Sequence, residues 1–278
     1  MPTVPSGTIL VTGASTGIGE AAALHLKGLG FDVVGAVRRD EDAARLRESG
    51  LRSVLLEVTD ADSIAAARAD LGDRPLAGLV NNAGIAVAAP LEFLPIDQLR
   101  RQLEVNLIGQ VAVTQAFLPA LRAARGRIVN VSSIGGRVAL PLVGAYNMSK
   151  FALEAFSDSL RRELLSQGVD VIAVEPGGVR TPIWRKGGEL ADELVGGMPP
   201  DVERLYGRLI EGVRKQTARI AQNGIPASAV AEVIGTAITA KRPRTRYLVG
   251  RDAKVRARVS AVLPDRLMDR AIARTLGG

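Results

Sequence analysis

Short runs of β-branched and aliphatic residues alternate along this chain with longer stretches whose apolar positions recur at helical spacing. The short runs are apolar on both faces, as strands covered by helices on both sides should be. Their alternation with helices points to βαβ units and a parallel sheet. Strands are predicted over Thr8–Thr12, Asp32–Val37, Ser53–Val58, Leu76–Val80, Arg127–Val131 and Val169–Val174. Helices are predicted over Gly17–Leu29, Asp40–Glu48, Asp62–Leu71, Ile96–Leu118 and Val143–Leu165, with Asp60 as the N-cap of the third. After Thr181 the alternation stops. Residues 183–226 mix glycine, charge and scattered apolar residues such as Trp184, Leu190 and Tyr206. They read as a long irregular lid following a strand end, where open α/β sheets bind ligands. A helix near Pro226–Ala240 and a strand at Arg246–Val249 complete the pattern. The expected fold class is α/β, a doubly wound parallel sheet with helices on both faces. It forms one domain over residues 1–250, with a basic amphipathic extension over 251–278.

Composition narrows the chemistry. At 278 residues and 47% hydrophobic content the chain can build a large core, and with 3% aromatics that core must be aliphatic. There is no cysteine, which removes disulfides, thiolate catalysis and cysteine metal sites. The only histidine, His25, falls inside a predicted helix, so a histidine triad or multi-histidine metal site is not expected. No apolar run approaches a membrane span and no basic-then-apolar leader opens the chain, so a soluble cytoplasmic protein is expected. The net charge of +7 is unevenly placed. Residues 241–278 hold eleven Lys/Arg against three acids, a local +8, and the first 240 residues sit at −1.

Two motifs carry chemistry. Thr12-Gly13-Ala14-Ser15-Thr16-Gly17-Ile18-Gly19 joins the first strand to the first helix. Gly13 permits the tight turn, Gly17 the close approach of backbone to a pyrophosphate, and Gly19 close packing of helix on sheet. Free N–H groups at the helix N-terminus then face phosphates, as in Rossmann-type dinucleotide sites. A Gly-rich turn without a ligand is the plain alternative. The second strand ends Val37-Arg38-Arg39 with no carboxylate before Asp40. An acid there would bind the 2′-hydroxyl of NAD, whereas Arg38 argues for the 2′-phosphate of NADP. The second motif is Tyr146-Asn-Met-Ser-Lys150, with Ser132-Ser133 upstream. Residues four apart share a helix face. An ammonium about 4 Å from the phenol interacts by roughly 4 kcal/mol at an effective dielectric of about 20, enough to bring a tyrosine towards useful acid/base work near neutral pH. Taken alone, the pair is more simply an exposed lysine beside a buried tyrosine.

Taken in order, the glycine loop, Asn81-Asn82-Ala83-Gly84, the serine, Tyr146-x3-Lys150 and Pro176-Gly177 resemble the short-chain dehydrogenase/reductase family in its one-domain form, over roughly Thr8–Pro182. The resemblance implies a tetrad. Ser133 would bond the substrate oxygen, Tyr146 would pass the proton, and Lys150 would bind the nicotinamide ribose and lower the phenol. Asn106 would hold a water. It also implies cofactor contacts from Gly13, Ser15, Thr16, Gly17, Ile18 and Gly19 to the diphosphate. Glu57 and Val58 would flank the adenine, Asn82, Ala83 and Gly84 the ribose, and Pro176, Gly177, Val179 and Thr181 the nicotinamide. Glu57 departs from the family's usual Asp or Asn. Among members, the segment Glu175–Pro182, the lid and the extension are most similar to hydroxysteroid and retinol dehydrogenase-like enzymes. The expected activity is NADP(H)-preferring interconversion of an apolar alcohol and its carbonyl. A silent redox sensor and a 3-oxoacyl-type ketoreductase are alternatives. No metal and no nucleic acid are expected, and a homodimer or homotetramer is. The basic extension is expected to pack on the domain or a second subunit, with contact to an anionic membrane surface as the alternative.

Overall fold

The computed structural model describes residues 7–276. Residues 1–6 of the expected domain and 277–278 of the expected extension lie outside them. The chain runs β1 (Thr8–Thr12), α1 (Gly17–Gly28), β2 (Asp32–Val37), α2 (Asp40–Glu48), β3 (Arg52–Leu55), α3 (Ala61–Leu71) and β4 (Leu76–Asn81). It continues through α4 (Ile96–Leu103), a π-helical turn (Glu104–Ile108), α5 (Gly109–Ala124), β5 (Arg127–Val131), α6 (Gly144–Glu163) and β6 (Asp170–Pro176). The last third comprises β7 (Val179–Arg180), α7 (Pro182–Gly196), α8 (Asp201–Asn223), β8 (Ile225–Pro226), α9 (Ala227–Thr239), β9 (Arg246–Val249), α10 (Arg251–Val262) and α11 (Asp265–Leu276).

Seven parallel strands form one sheet in the order β3-β2-β1-β4-β5-β6-β9. Alternate side chains enter two cores. Ile9 and Val11 of β1 join α1, α2 and α9 on one face, whereas Leu10 joins α3, α5 and α6 on the other. Every residue of β1 is buried, which explains its unbroken apolar and β-branched composition. The strand order reverses beside β1, which opens a crevice at the carboxyl ends of β1 and β4. His25 packs at the α1–α9 crossing, where a Cβ on Gly235 would lie 2.6 Å from its Nε2.

Three expectations change. The lid over 183–226 is not irregular: α7 and α8 fill most of it. Leu190, Leu194 and Met198 pack on Val87 and Leu94, and Tyr206 and Leu209 pack with Leu142 and Val202. The third strand is shorter than Ser53–Val58, ending at Leu55. The predicted Ile96–Leu118 helix continues to Ala124 and carries a π turn in its middle. This rod is long and apolar enough to cross a membrane by length and composition. Here it packs against β4, α3 and α6. The extension forms two helices, with Ala253 and Ala257 of α10 buried against Ile134 and Val138. Asp60 caps α3 as expected, accepting from the N–H groups of Asp62 and Ser63.

Candidate active site

A cleft of about 340 Å³ runs along the carboxyl ends of the strands. At its outer end, Gly13 and Gly17 take positive φ angles of 64° and 62°, which L side chains rarely adopt. Thr16, the N-cap of α1, places no side chain on the helix's first N–H groups. Those donors and the helix dipole suit an anion there. Ser15, Thr16, Gly17 and Ile18 line this end. Gly19 does not reach the cleft. A Cβ on it would collide with the Gly13 carbonyl oxygen and the Asn82 side-chain amide, so its bareness lets the first turn of α1 close onto the ends of β1 and β4.

Arg38 lines the rim, with Nη1 3.4 Å from Glu57 Oε2. Asp42 also lines it, but its carboxylate is held by Arg39 at 2.9 Å and Arg45 at 3.0 Å. These cations hold the carboxyl below its usual range, against the opposing effect of burial. Arg45 also donates to the Ser15 carbonyl, bracing the loop. Neither Asp42 nor Arg45 stood out in the sequence, because their roles depend on α2 folding back beside the glycine loop. Glu57 and Val58 lie along the same wall. Glu57 accepts from the Thr59 N–H and hydroxyl.

Asn82, Ala83 and Gly84 line the middle. The Asn82 amide donates to the carbonyls of Thr12 and Gly13, tying β4 to the glycine loop. Asn106 is wholly buried on the π turn. Its oxygen accepts from Ile85 N–H at 2.8 Å, and its nitrogen donates to the Ile85 carbonyl and Ser149 hydroxyl. Both donors and the oxygen of the amide are thus engaged. The side chain thereby braces α6 against the β4 exit. Ser149 completes the brace by donating to the Tyr146 carbonyl.

Ser133, Tyr146 and Lys150 meet at the inner end of the cleft, each with a small exposed fraction: 8, 9 and 5%. Ser133 accepts from Gly135 N–H at 3.0 Å, and Asn147 fixes that turn by donating to the Gly135 carbonyl. Ser132 also lines the cleft, its hydroxyl buried without a hydrogen-bond partner among the described residues. Lys150 Nζ lies 5.7 Å from the Tyr146 ring centroid and donates to the Val131 carbonyl at 2.8 Å. Burial pushes Lys150 down to about 8, partly opposed by Glu154. The expected lowering of Tyr146 by Lys150 is not found. Burial pushes the phenol above its ordinary value, and the Ser133 hydroxyl draws it only part of the way back.

Pro176, Gly177, Val179 and Thr181 border the inner end with Trp184 and Lys186, which the sequence reading did not single out as site residues. Trp184 donates its indole N–H to the Val179 carbonyl, and its ring centroid lies 6.2 Å from that of Tyr146. Beyond Tyr146 and Trp184 a second, narrower chamber opens between the Ser133–Val143 segment, α8 and α10. Ile134, Val138, Val143, Val213 and Ile220 make its walls largely apolar.

The family model described as short chain dehydrogenase matches residues 7–190. A 3-amino-tetrahydro-pyrrolizinone reductase from Xenorhabdus hominickii is 40% identical over 92% of this chain and 91% of its own length. Retinol dehydrogenase 5 from Mus musculus is 37% identical over 94% and 86%. A short chain dehydrogenase from Burkholderia cenocepacia, solved in complex with NADP, superposes with a TM-score of 0.75 at 26% identity over 96% of this chain and 97% of that one. The chain belongs to the short-chain dehydrogenase/reductase family. It is an oxidoreductase of the class that uses nicotinamide dinucleotides.

Proposed function

We propose that this enzyme interconverts an apolar primary or secondary alcohol and its carbonyl compound, preferring NADP(H), with Tyr146 as the proton-transfer group. One observation carries the reading: Ser133, Tyr146 and Lys150 converge at the inner end of a cleft whose outer end is the glycine loop and Arg38. A bound nicotinamide would supply or accept the hydride. Residues 13 and 15–18 would hold its diphosphate at the α1 N-terminus, and Arg38 would meet a ribose 2′-phosphate. Lys150 would meet the nicotinamide ribose. Pro176, Gly177, Val179 and Thr181 would border the ring. The Ser133 hydroxyl would orient the substrate oxygen. Tyr146, kept protonated by burial, would donate to that oxygen as it becomes an alkoxide and take the proton back in reverse.

NADP preference is supported at the end of β2. Arg38 stands at the rim, where the Asp42 carboxylate is committed to Arg39 and Arg45 and the Glu57 carboxylate lies 3.4 Å from Arg38 itself. The apolar walls of the inner chamber and the retinol dehydrogenase relative support an apolar substrate. The presence of both Tyr146 and Lys150 speaks against a silent sensor. A panel of apolar ketones, aldehydes and acyl thioesters tests the reading by NADPH consumption. Turnover of an apolar ketone or aldehyde is expected, at several-fold higher kcat/KM with NADPH than with NADH. Arg38→Asp should reverse that cofactor ratio. Turnover restricted to acyl thioesters would favour the ketoreductase alternative.

Ile108, Met148 and Phe151 are exposed on the central rod and α6, which supports a homodimer or homotetramer through these helices. Val255, Val262 and Leu267 are exposed among the arginines of α10 and α11, which supports salt-sensitive contact with anionic membranes, testable by liposome pelleting.

A further inference from the structure

Arg256 belongs by sequence to the basic extension, yet α10 turns it inward. Ala253 and Ala257 anchor the helix on Ile134 and Val138, and Arg256, beside them, lines the inner chamber together with Ser133 and Tyr146. It is part-buried, and among the described residues its guanidinium has no hydrogen bond and no ion pair. Arg137 and Arg246, by contrast, are committed, the first to Glu175 and the second to Glu154, Asp158 and Glu175. The single acid on the chamber wall, Asp252, sits one turn before Arg256 but accepts from the Gly178 N–H at 2.8 Å. Gln216 and Thr217 of α8 also line the chamber. The cavity therefore combines hydroxyl groups of Ser133 and Tyr146, aliphatic walls, and a helix-borne group of hydrogen-bonding side chains that includes a free cation.

A part-buried guanidinium without a protein partner keeps its paired N–H donors open to a carboxylate, sulfonate or phosphate. We propose that Arg256 is a specificity-determining residue. The substrate is an amphipathic carbonyl compound or alcohol, and an anionic group remote from its reacting carbon is held by Arg256. This deepens the oxidoreductase reading above and rests on it for the position of the reacting carbon. An arginine recruited for binding discriminates between charged and neutral forms of one substrate, whereas a structural arginine affects both alike.

The test uses the NADP+-bound enzyme, which cannot reduce a ketone, and methyl-ketone acids from hexanoate to dodecanoate chain length, each paired with its methyl ester. Binding is read from the fluorescence of Trp184, the only tryptophan, which lines the chamber. At one or more chain lengths the acid should bind at least about tenfold more tightly than the ester. Arg256→Gln should abolish that preference while leaving ester affinity within about twofold, so the ester also reports intact folding. Arg256→Lys should retain part of the preference. Equal binding of acid and ester by the wild type at every length, or equal weakening of both by Arg256→Gln, would overturn the proposal. Turnover is measured in separate samples with NADPH. Acid-selective binding without NADPH oxidation would sustain anion recognition by Arg256 and count against these ketones as substrates, so the two readings fail separately.

Discussion

At the scale of single residues, burial sets the character of the site. Lys150 sits at about 8, below its ordinary 10.5, because its charge is enclosed. Below pH 8 both folded and unfolded chains carry that proton, and the folded state bears the full penalty, on the order of 3 kcal/mol. Between about 8 and 10.5 the folded protein releases it first, so this contribution to stability rises with pH and levels off above. Lys150→Met should therefore raise the urea-unfolding free energy at pH 7 by about 1–3 kcal/mol and flatten its rise between pH 8 and 10, while turnover collapses. A destabilised Lys150→Met would show that the Val131 hydrogen bond outweighs the enclosed charge. Ser133 and Ser132 should separate in the same way. Ser133→Ala should cost about 100-fold or more in kcat, and Ser132→Ala less than about fivefold, measured with one substrate. Tyr146 and Lys150 were legible in the sequence because their helical spacing accompanies the glycine loop, Asn81–Gly84, the serine pair and Pro176-Gly177. What the spacing did not reveal is that one of the lysine's three donors goes to a backbone carbonyl and that burial outweighs the Ser133 hydroxyl in setting the phenol's pKa. Both depend on what the rest of the chain packs around them.

At the scale of elements, periodicity predicted the sheet well and the lid poorly. The strand at Arg246–Val249 and the helix at Asp40–Glu48 agree in both bounds. Residues 183–226 misled because Gly187 and Gly188 interrupt the apolar stripe of α7. Gly187 is needed there, since a Cβ would lie 2.9 Å from the Ala86 carbonyl oxygen. The π turn at Glu104–Ile108 was equally invisible, because one extra residue in a helical turn leaves the hydrophobic pattern nearly unchanged. Its consequence is functional placement: it is the turn that carries Asn106 to Ile85 and Ser149, and such turns often occur at functional sites. The edge strand β9 depends on charge as well as on hydrogen bonds. Arg246 reaches Glu154 at 3.0 Å, Asp158 at 2.8 Å and fully buried Glu175 at 3.3 Å. Arg246→Met leaves Glu154 without its cation, whereas Glu175 keeps Arg137 and Asp158 keeps Arg161 and Arg162, and should cost about 1–3 kcal/mol, read as a lower urea midpoint. Activity below denaturing conditions should stay within a few-fold, because Arg246 lines neither cavity.

At the scale of the whole molecule, the strand order places one crevice beside β1, and everything chemically distinctive gathers there. Glycine loop, asparagine motif, serine and tyrosine come from sequence separations of more than a hundred residues, and the sheet brings their carboxyl ends to one edge. The basic extension is divided in its uses. Arg256 faces the inner chamber, whereas Arg251, Lys254 and Arg258 face outward. If the exposed Met148 and Phe151 mark the subunit contact, Phe151→Glu should convert an oligomer to a monomer in light scattering without unfolding it. If Tyr146 handles the proton while the rest of the cleft holds the cofactor, Tyr146→Phe separates the two roles. Titrated with NADPH and followed by Trp184 fluorescence, the variant should bind within a few-fold of the wild type. Assayed with any substrate the wild type accepts, it should lose at least about 1,000-fold in kcat. Retention of wild-type turnover by this variant would take the proton-transfer role away from Tyr146.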